Sequence, residues 1–359
     1  MQPAENDLPD ARPASGALHE PPGRYGQSSR KPMTSAPRLA SVNRDQPDRW
    51  KEDIRQSVDL YNNWFLKFAP AAFREERTKA TKSVADTLNW TRNLRDITPA
   101  ILRRYPQALP TLRMACCPPI ARDRLIGLSG VNPSVVQRME LNGKLPIRLS
   151  QETLDAELVK VGTILGKLAD PDIFTWLDTR RDPSTADIHR AASIVADRLC
   201  GAGADPIIRN AQEARQLKLI GDWLKKRGYK HLPAGSGVEY SGMPPGTFSF
   251  RLGIPVDLAS LAKPITIPVD VAIKPLRSPA AELPFFIEAK SAGDFTNVNK
   301  RRKEEATKMS QLRQKFGARV RYALFLCGYF DSGYLGYEAS EGIDWVWEHR
   351  IDDLAEFGL

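Results

Sequence analysis

The chain has 359 residues, of which 42% are hydrophobic and 26% charged. This length exceeds the usual size of a single core and predicts two domains. No stretch approaches the roughly 18 to 20 apolar residues of a membrane span, and the N-terminus lacks a secretory signal, so we expect a cytoplasmic protein without a membrane partner. The formal net charge of +9 favours a polyanionic partner such as nucleic acid. Four cysteines without CxxC spacing argue against a zinc site and a disulfide framework.

The first 45 residues are rich in proline, serine, glycine and alanine and have few large apolar side chains. Such a segment cannot offset the entropy that ordering costs, so residues 1–45 are expected to form a disordered tail. Met33 lies within this tail and is a second candidate for the start of translation.

From Trp50 to about residue 200 the pattern is helical, with Ile54, Val58 and Tyr61 spaced by three or four. Prolines are expected to divide this part into short helices, and they occupy positions 70, 99, 106, 110, 118 and 119. The sequence predicts an all-helical domain over residues 46–200, with a role in DNA recognition.

Within that domain, residues 122–146 predict two short helices joined at Ser129-Gly130, the second with Asn132 as N-cap and Pro133 at its first position. This pattern is typical of a helix-turn-helix, whose second helix enters the major groove of DNA. An ordinary helical hairpin gives the same pattern. The polar side chains expected to contact DNA are Ser134, Gln137, Arg138 and Lys144.

The remaining residues, 201–359, predict a second domain of class α/β (α+β), a mixed β-sheet flanked by helices. An amphipathic helix is expected after Asp205, and Glu213 near its beginning is either solvated or an additional acid of a site. Alternating or β-branched stretches predict the strands, at 247–258, 265–275, 283–290 and 320–330. A polar, helix-favouring segment separates the last two.

The apolar run at residues 283–287 ends in Glu288-Ala289-Lys290. Residues two apart in a strand point to the same side, so Glu288 and Lys290 project together, and Asp270 can lie opposite them if the two strands are neighbours. Two carboxylates suit Mg²⁺, which is commonly held by one or two carboxylates and a substrate phosphate. The lysine would orient or activate an attacking water. These three residues predict Mg²⁺-dependent hydrolysis of a phosphodiester, with Asp270 and Glu288 as the metal ligands.

This pattern resembles the PD-(D/E)xK nuclease superfamily, with Val269-Asp270 in place of Pro-Asp and Glu288-Ala289-Lys290 as the ExK. The stretch from about Trp50 onwards is similar to type II restriction endonucleases of the XamI family. Three segments carry this similarity: "CCPPIARDRLIGL", "ADRLCGAGADPIIRNAQEARQL" and "EAKSAGDFTNVNKRRKEEATK". The resemblance implies a restriction-endonuclease-like core that cleaves double-stranded DNA at a short palindrome with Mg²⁺, as a homodimer, beside a cognate DNA methyltransferase. Some members of the superfamily have a further glutamate on a helix that precedes the catalytic strands, and the resemblance places it at Glu213.

Asp257 is a rival to Asp270 as first metal ligand, because both follow the same three residues, Ile-Pro-Val. About ten residues after the ExK in the sequence comes a run of positive charges, Lys300, Arg301, Arg302 and Lys303. Such runs are usually solvated, but this one is expected to contact DNA phosphates. Gln311 and Gln314 lie further along the same predicted helix and are candidates for supporting roles. Two other functions stay open, a helix-turn-helix regulator without catalysis and a repair or recombination nuclease of the same fold.

Overall fold

The structure is a computed structural model that describes residues 41–179, 181–233, 239–257, 265–279, 281–296 and 298–359, without the side chains of residues 299–302. Its helices are α1 (Pro47–Trp90), α2 (Pro99–Arg104), α3 (Leu109–Met114), α4 (Arg122–Ser129), α5 (Pro133–Asn142), α6 (Gln151–Leu168), α7 (Trp176–Thr179), α8 (Thr185–Lys226), α9 (Val298–Phe316) and α10 (Ser332–Ser340). Its strands are β1 (Lys230–His231), β2 (Thr247–Val256), β3 (Ile265–Lys274), β4 (Phe285–Ala292), β5 (Arg321–Gly328) and β6 (Asp344–Trp347). The predicted class, a helical N-terminal part followed by a mixed sheet with flanking helices, is confirmed.

Two helices are much longer than the prolines predict. Helix α1 runs through Pro70 for 44 residues, and α8 runs through Pro206 for 42 residues. A proline removes one hydrogen bond of its helix. The two helices pack against each other along their length, and this tertiary packing maintains them where local propensity alone predicts a break. The expected division of residues 46–120 by Pro70 is therefore wrong, although α2 does begin at Pro99.

Helix α8 contributes to two separate hydrophobic cores. Its first half packs with the N-terminal helices through Ala191, Val195 and Cys200. Its second half packs against the sheet through Leu217 and Ile220. The boundary expected between residues 200 and 201 thus falls inside a continuous helix, and the division of the chain into a recognition domain and a nuclease domain stays a prediction.

The sheet has six strands in the order β1-β2-β3-β4-β5-β6. Strands β2, β3 and β4 are antiparallel to their neighbours in that set, whereas β1 is parallel to β2, and β4, β5 and β6 are mutually parallel. Helix α9 connects β4 to β5, as parallel neighbours require a crossover. Strand β6 carries Trp345 and Trp347, and both side chains are fully buried.

The sheet is covered on both faces, which explains why β4 and β5 are apolar on both sides. One core, the α9-side core, includes Phe286, Met309 and Leu312. The other, the α8-side core, includes Ile287 and Phe325. Burying one such side chain contributes about 1.5 to 3 kcal/mol, so the two cores hold β4 at the centre of the sheet.

At one point along β2 and β3, the side chains that pointed to one face of the sheet begin to point to the other face. In β3, Val269 packs in the α9-side core but Val271 packs in the α8-side core, although residues two apart normally share a face. The residue between them is Asp270. Opposite it in β2, Arg251 has a positive φ of 53°, which is uncommon for a residue other than glycine. This local twist falls at the predicted site.

The segment 41–45, which was expected to belong to the disordered tail, lies against the sheet. The backbone N–H groups of Val42 and Asn43 donate to the carboxylate of Asp344, at 2.6 and 3.0 Å. The Asn43 side chain also donates to the carbonyl of Trp345 at 2.8 Å. Hydrogen bonds to a β6 carboxylate thus order residues whose composition alone favours disorder. Residues 1–40 lie outside the described part of the chain.

The predicted caps of α4 and α5 are confirmed. Gly130 and Gly143 end the two helices in the left-handed conformation, and the Asn132 side chain accepts from the N–H of Ser134 at 3.0 Å. Val135 and Met139 are fully buried in the N-terminal core. Among the described helices, none is long and apolar enough to cross a membrane.

Candidate active site

The site begins where β3 and β4 separate. Their ladder ends at the pair Val271 and Ile287. One residue further along, the carboxylate of Asp270 replaces the backbone: its Oδ2 accepts a hydrogen bond from the N–H of Ala289 at 2.8 Å. The local twist at Asp270 thus brings a charged side chain to the place where strand pairing would continue.

Glu288 and Lys290 project from β4 on the same side, as strand periodicity predicts. The Lys290 ammonium lies 3.1 Å from Glu288 Oε1. Glu288 is 4% exposed, so its charge is held in the interior. The structure therefore brings together all three residues predicted for the reaction, Asp270 through the backbone of Ala289 and the other two by direct contact.

Helix α9 adds two residues that the sequence analysis did not assign to the site. Glu305 is fully buried and its Oε1 lies 2.8 Å from Lys290 Nζ. Lys308 Nζ lies 2.5 Å from Glu288 Oε1 and donates to the carbonyl of Pro268 at 3.1 Å. The sequence contained one indication of the role of Glu305, its spacing of four residues from Met309, which places it on the apolar face of the helix. An acidic residue on an apolar helix face is rarely buried without a partner.

Burial and neighbouring charges shift the pKa values at the site. Burial, and then the adjacent Glu288 carboxylate, raise the pKa of Asp270 to about 6. Burial lowers the pKa of Lys290, but the carboxylates of Glu288 and Glu305 outweigh it and raise that pKa above its usual value. Lys290 is therefore protonated at neutral pH and can donate hydrogen bonds rather than accept a proton.

A further buried acid lies behind the lysine. Glu338 of α10 is fully buried, and burial together with the charge of Glu305 raises its pKa to about 8. At neutral pH Glu338 is therefore mostly neutral. Of these two acids, Glu305 is the one that contacts Lys290 directly.

These residues open into a cleft with a volume of about 330 Å³. Its walls come from β3, β4, the middle of α8 and the start of α9, and the lining residues are Arg209, Gln212, Glu213, Gln216, Asp270, Glu288, Ala289, Lys290, Ser291 and Glu304. Both charged residues of the ExK and the acid of β3 are thus accessible from one opening.

Glu213 and Asp257, the two additional acids considered, differ in position. Glu213 lines the cleft, but its Oε1 pairs with Arg251 Nη2 at 2.8 Å. It lies in the middle of α8 rather than at a helix start, so the helix dipole does not explain it. Asp257 follows the end of β2, is 74% exposed and pairs with Lys315 at 3.5 Å, outside the cleft lining.

The other predicted contacts lie on the surface or outside the described part. The backbone of Lys300, Arg301 and Arg302 belongs to α9, but their side chains are not among those described. Lys303 and Gln314 are exposed and Gln311 is half-buried, and none of these three lines the cleft.

On α5, Gln137 and Arg138 are exposed and Ser134 is half-buried, while Lys144 follows the helix on the surface. Their side chains are placed to reach a partner, and their contact with DNA stays a prediction.

Comparisons with known proteins show the family of the chain. Residues 92–347 match the family model described as XamI restriction endonuclease. The chain belongs to the XamI restriction endonuclease family. It is also 51% identical, over 319 residues, to the type II restriction enzyme SalI of Streptomyces albus G, covering 88% of this chain and 99% of that protein.

The family resemblance predicted from the ExK and its flanking segments is thus confirmed, and the chain is a type II restriction endonuclease that acts on double-stranded DNA. A regulator without catalysis and a repair nuclease are not favoured by these matches. Among solved structures, protein VC1899 from Vibrio cholerae is 14% identical, with a TM-score of 0.25 over 70% of this chain and 54% of that chain, which is too low to support an argument.

Type II restriction enzymes generally depend on a divalent metal ion, and the donor set of the cleft fits one. Glu288 Oε2 is buried and has no hydrogen-bond partner among the described residues. Asp270 uses Oδ2 for Ala289, which leaves Oδ1 for a ligand. Within the described part of the chain no group of three or more acidic, histidine or cysteine side chains could hold a metal. Two carboxylates suffice for an ion that completes its ligands with water and substrate phosphate.

Proposed function

We propose that the chain hydrolyses phosphodiester bonds of double-stranded DNA at a short palindrome, with Mg²⁺ held by Asp270 and Glu288 and with Lys290 as the third catalytic residue. The observation that carries this proposal is the convergence of the three side chains on one cleft in which a buried carboxylate oxygen, Glu288 Oε2, has no hydrogen-bond partner among the described residues.

When bound, Mg²⁺ supplies positive charge that stabilises the negative charge developing on the phosphorus oxygens. Asp270 and Glu288 would hold it, both as carboxylates: the charge of a cation lowers a neighbouring pKa and favours the ionised form of Asp270. Lys308 contacts Glu288 Oε1 and anchors that carboxylate from the α9 side.

Lys290 acts as a hydrogen-bond donor in this proposal. It is protonated at neutral pH, and Glu305 and Glu288 hold its ammonium from two sides. A fixed ammonium can orient the attacking water by donating to its oxygen, and it can stabilise the charge on the phosphate. The structure favours orientation over proton abstraction, the two roles considered for this lysine.

A homodimer is part of the proposal. A palindrome has twofold symmetry, and a twofold protein dimer presents the same contacts to both half-sites. A cognate DNA methyltransferase is expected in the same cell, because an enzyme that cleaves unmodified DNA would otherwise cleave the genome that encodes it. Glu213 remains a candidate for an additional acid.

The test is digestion of unmethylated phage DNA by the purified protein with Mg²⁺ and with EDTA. Discrete fragments are expected with Mg²⁺, none with EDTA, and none with Lys290→Ala under either condition. The control is Lys226→Ala, which removes an exposed lysine at the end of α8, far along the helix from the cleft-lining residues. Fragments from Lys290→Ala at the wild-type rate would contradict the proposed site.

A further inference from the structure

The cleft contains Gln212, a polar residue to which the proposed reaction assigns no role. Gln212 of α8 lines the cleft and is 5% exposed. Its amide nitrogen, Nε2, is buried and has no hydrogen-bond acceptor among the described residues. Buried amide donors in folded proteins are normally paired, so an unpaired donor beside a reactive centre requires an explanation.

The helix that carries Gln212 is fixed in place. One turn further along α8, Gln216 Nε2 donates to the carbonyl of Lys290 and to that of Phe325, each at 3.4 Å. These bonds tie the same helical face to the backbone of β4 and β5. Gln212 therefore has a defined position over the cleft, set by the strand that carries the ExK.

The neighbours of Gln212 indicate which ligand its amide suits. Glu213 pairs with Arg251, whereas Nε2 of the adjacent Gln212 has no acceptor among the described residues. Arg209, three residues earlier on the same face, lines the cleft and is exposed. An amide donor and a guanidinium on one face, opposite two carboxylates, suit an anion with several acceptor oxygens.

We propose that Gln212 donates a hydrogen bond from Nε2 to a non-bridging oxygen of the phosphodiester that is cleaved, and that Arg209 attracts the same phosphate at the mouth of the cleft. This inference rests on the proposed function of the cleft. It assigns to α8 the binding of the reacting phosphate, while β3 and β4 supply the acids.

Three variants test the donor. Gln212→Leu keeps the size of the side chain and removes the amide, and we expect kcat/KM for cleavage to fall about 10- to 100-fold, the loss of one hydrogen bond to a charged group. Gln212→Glu keeps an acceptor oxygen but places a negative charge beside the phosphate, so its loss should be larger. Asn210→Ala, at an exposed position of the same helix that does not line the cleft, is the control and should cleave at the wild-type rate.

A substrate change separates phosphate contact from a structural role. The cleaved position is first mapped with the wild-type enzyme, and a duplex is then made with a neutral methylphosphonate there. Binding of both duplexes is measured by fluorescence anisotropy in EDTA. We expect Gln212→Leu to bind the phosphate duplex about tenfold more weakly than wild type does, and the methylphosphonate duplex with a difference of about twofold or less.

Either of two results would overturn the proposal: wild-type cleavage by Gln212→Leu or Gln212→Glu, or the same variant-to-wild-type ratio on both duplexes. Circular dichroism shows whether each variant is folded, and if Gln212→Leu is not, Gln212→Glu carries the test. Lys290→Ala distinguishes the two levels of inference. If it abolishes cleavage while the Gln212 variants behave as wild type, only the role of Gln212 fails; if it cleaves normally, the proposed function fails first.

Discussion

The charged side chains of β4 in the cleft and the exposed side chains of α5 are held in opposite ways. In the cleft, Glu288 is buried and Lys290 nearly so, and each has a charged partner within 3.1 Å. On α5, Gln137 and Arg138 are exposed, and their side chains form no hydrogen bond or ion pair with the described residues. The first set is fixed before any partner arrives, whereas the second can be ordered only by a partner.

This difference indicates that the cleft and α5 contribute to different steps of the reaction. Charges that the fold already fixes in a poorly solvated cleft interact strongly with a reacting phosphate and need no reorganisation. Exposed polar side chains gain little within the protein itself, so their value lies in contacts with another molecule. Cleavage should therefore depend on the cleft and recognition on the surface.

The largest expected effect is that of Asp270→Asn, which removes the charge of a proposed metal ligand and keeps its shape. We expect the rate of DNA cleavage at saturating DNA to fall by a factor of roughly 10³ or more, since a charge in the transition state is left unsupported. Binding of the same DNA in EDTA should stay within about threefold of wild type. Loss of binding to the same extent as cleavage would show that the cleft is not specialised for the chemical step.

Glu338 is a buried acid of α10 that does not line the cleft, and its titration can be tested through stability. Its folded-state pKa of about 8 lies above the ordinary 4.5 of a glutamate, because of burial and then the charge of Glu305. Between these values the folded protein holds a proton that the unfolded chain has lost, so the free energy of unfolding falls as pH rises through this window. In Glu338→Gln this dependence should be absent. The variant should gain stability over wild type by an amount on the order of a few kcal/mol between pH 5 and pH 8.

Urea unfolding at several pH values measures this difference, and Glu356→Gln on the exposed surface is its control. For the control, the gap from wild type should not change with pH. Parallel stability curves for Glu338→Gln and wild type would mean that Glu338 is ionised in the folded protein.

The sequence predicted the three charged residues that the strands contribute to the cleft because strand geometry is regular. Period-two alternation places Glu288 and Lys290 together, and the apolar runs around them predict neighbouring strands, which fixes Asp270 nearby. The contacts from helices were harder to predict. Glu305 occupies an apolar stripe, and Gln212 lies on a helix whose start was expected twenty residues too late, because packing against α1 carries α8 through Pro206.

A third prediction concerns Arg138 on α5. Arg138→Ala should weaken binding of the cleaved sequence by roughly 1 to 3 kcal/mol and relax specificity at one position if the guanidinium contacts a base. If the guanidinium contacts a phosphate, binding should weaken equally for all sequences. The slope of log K for binding against log salt concentration should then decrease in magnitude by about one. The cleavage rate at saturating DNA should stay unchanged.

The matched control for Arg138 is Lys167→Ala, which removes one exposed positive charge from α6. It lowers the net charge by the same amount without touching α5. Equal losses from the two variants would mean that only the overall charge of the protein matters, and that α5 does not take part in recognition.

The smallest effect is expected at Asp257, which follows the same three residues as Asp270. The two Ile-Pro-Val-Asp copies lie on adjacent strands, with Ile254 paired to Ile267, yet their acids end in different surroundings. Asp270 lies inside β3, half-buried beside Glu288, whereas Asp257 follows the end of β2 and is 74% exposed. Asp257→Asn should change kcat/KM less than twofold and the free energy of unfolding by less than about 0.5 kcal/mol.

The paired comparison of Asp257→Asn and Asp270→Asn uses one chemical change in one local sequence, so a difference between them can come only from where the fold places each acid. Cleavage lost with Asp257→Asn and kept with Asp270→Asn would reverse the assignment of the metal ligand. The expected result, loss only at Asp270, would attribute the reactivity of this acid to the separation of β3 from β4, where a side chain rather than a backbone carbonyl accepts from Ala289.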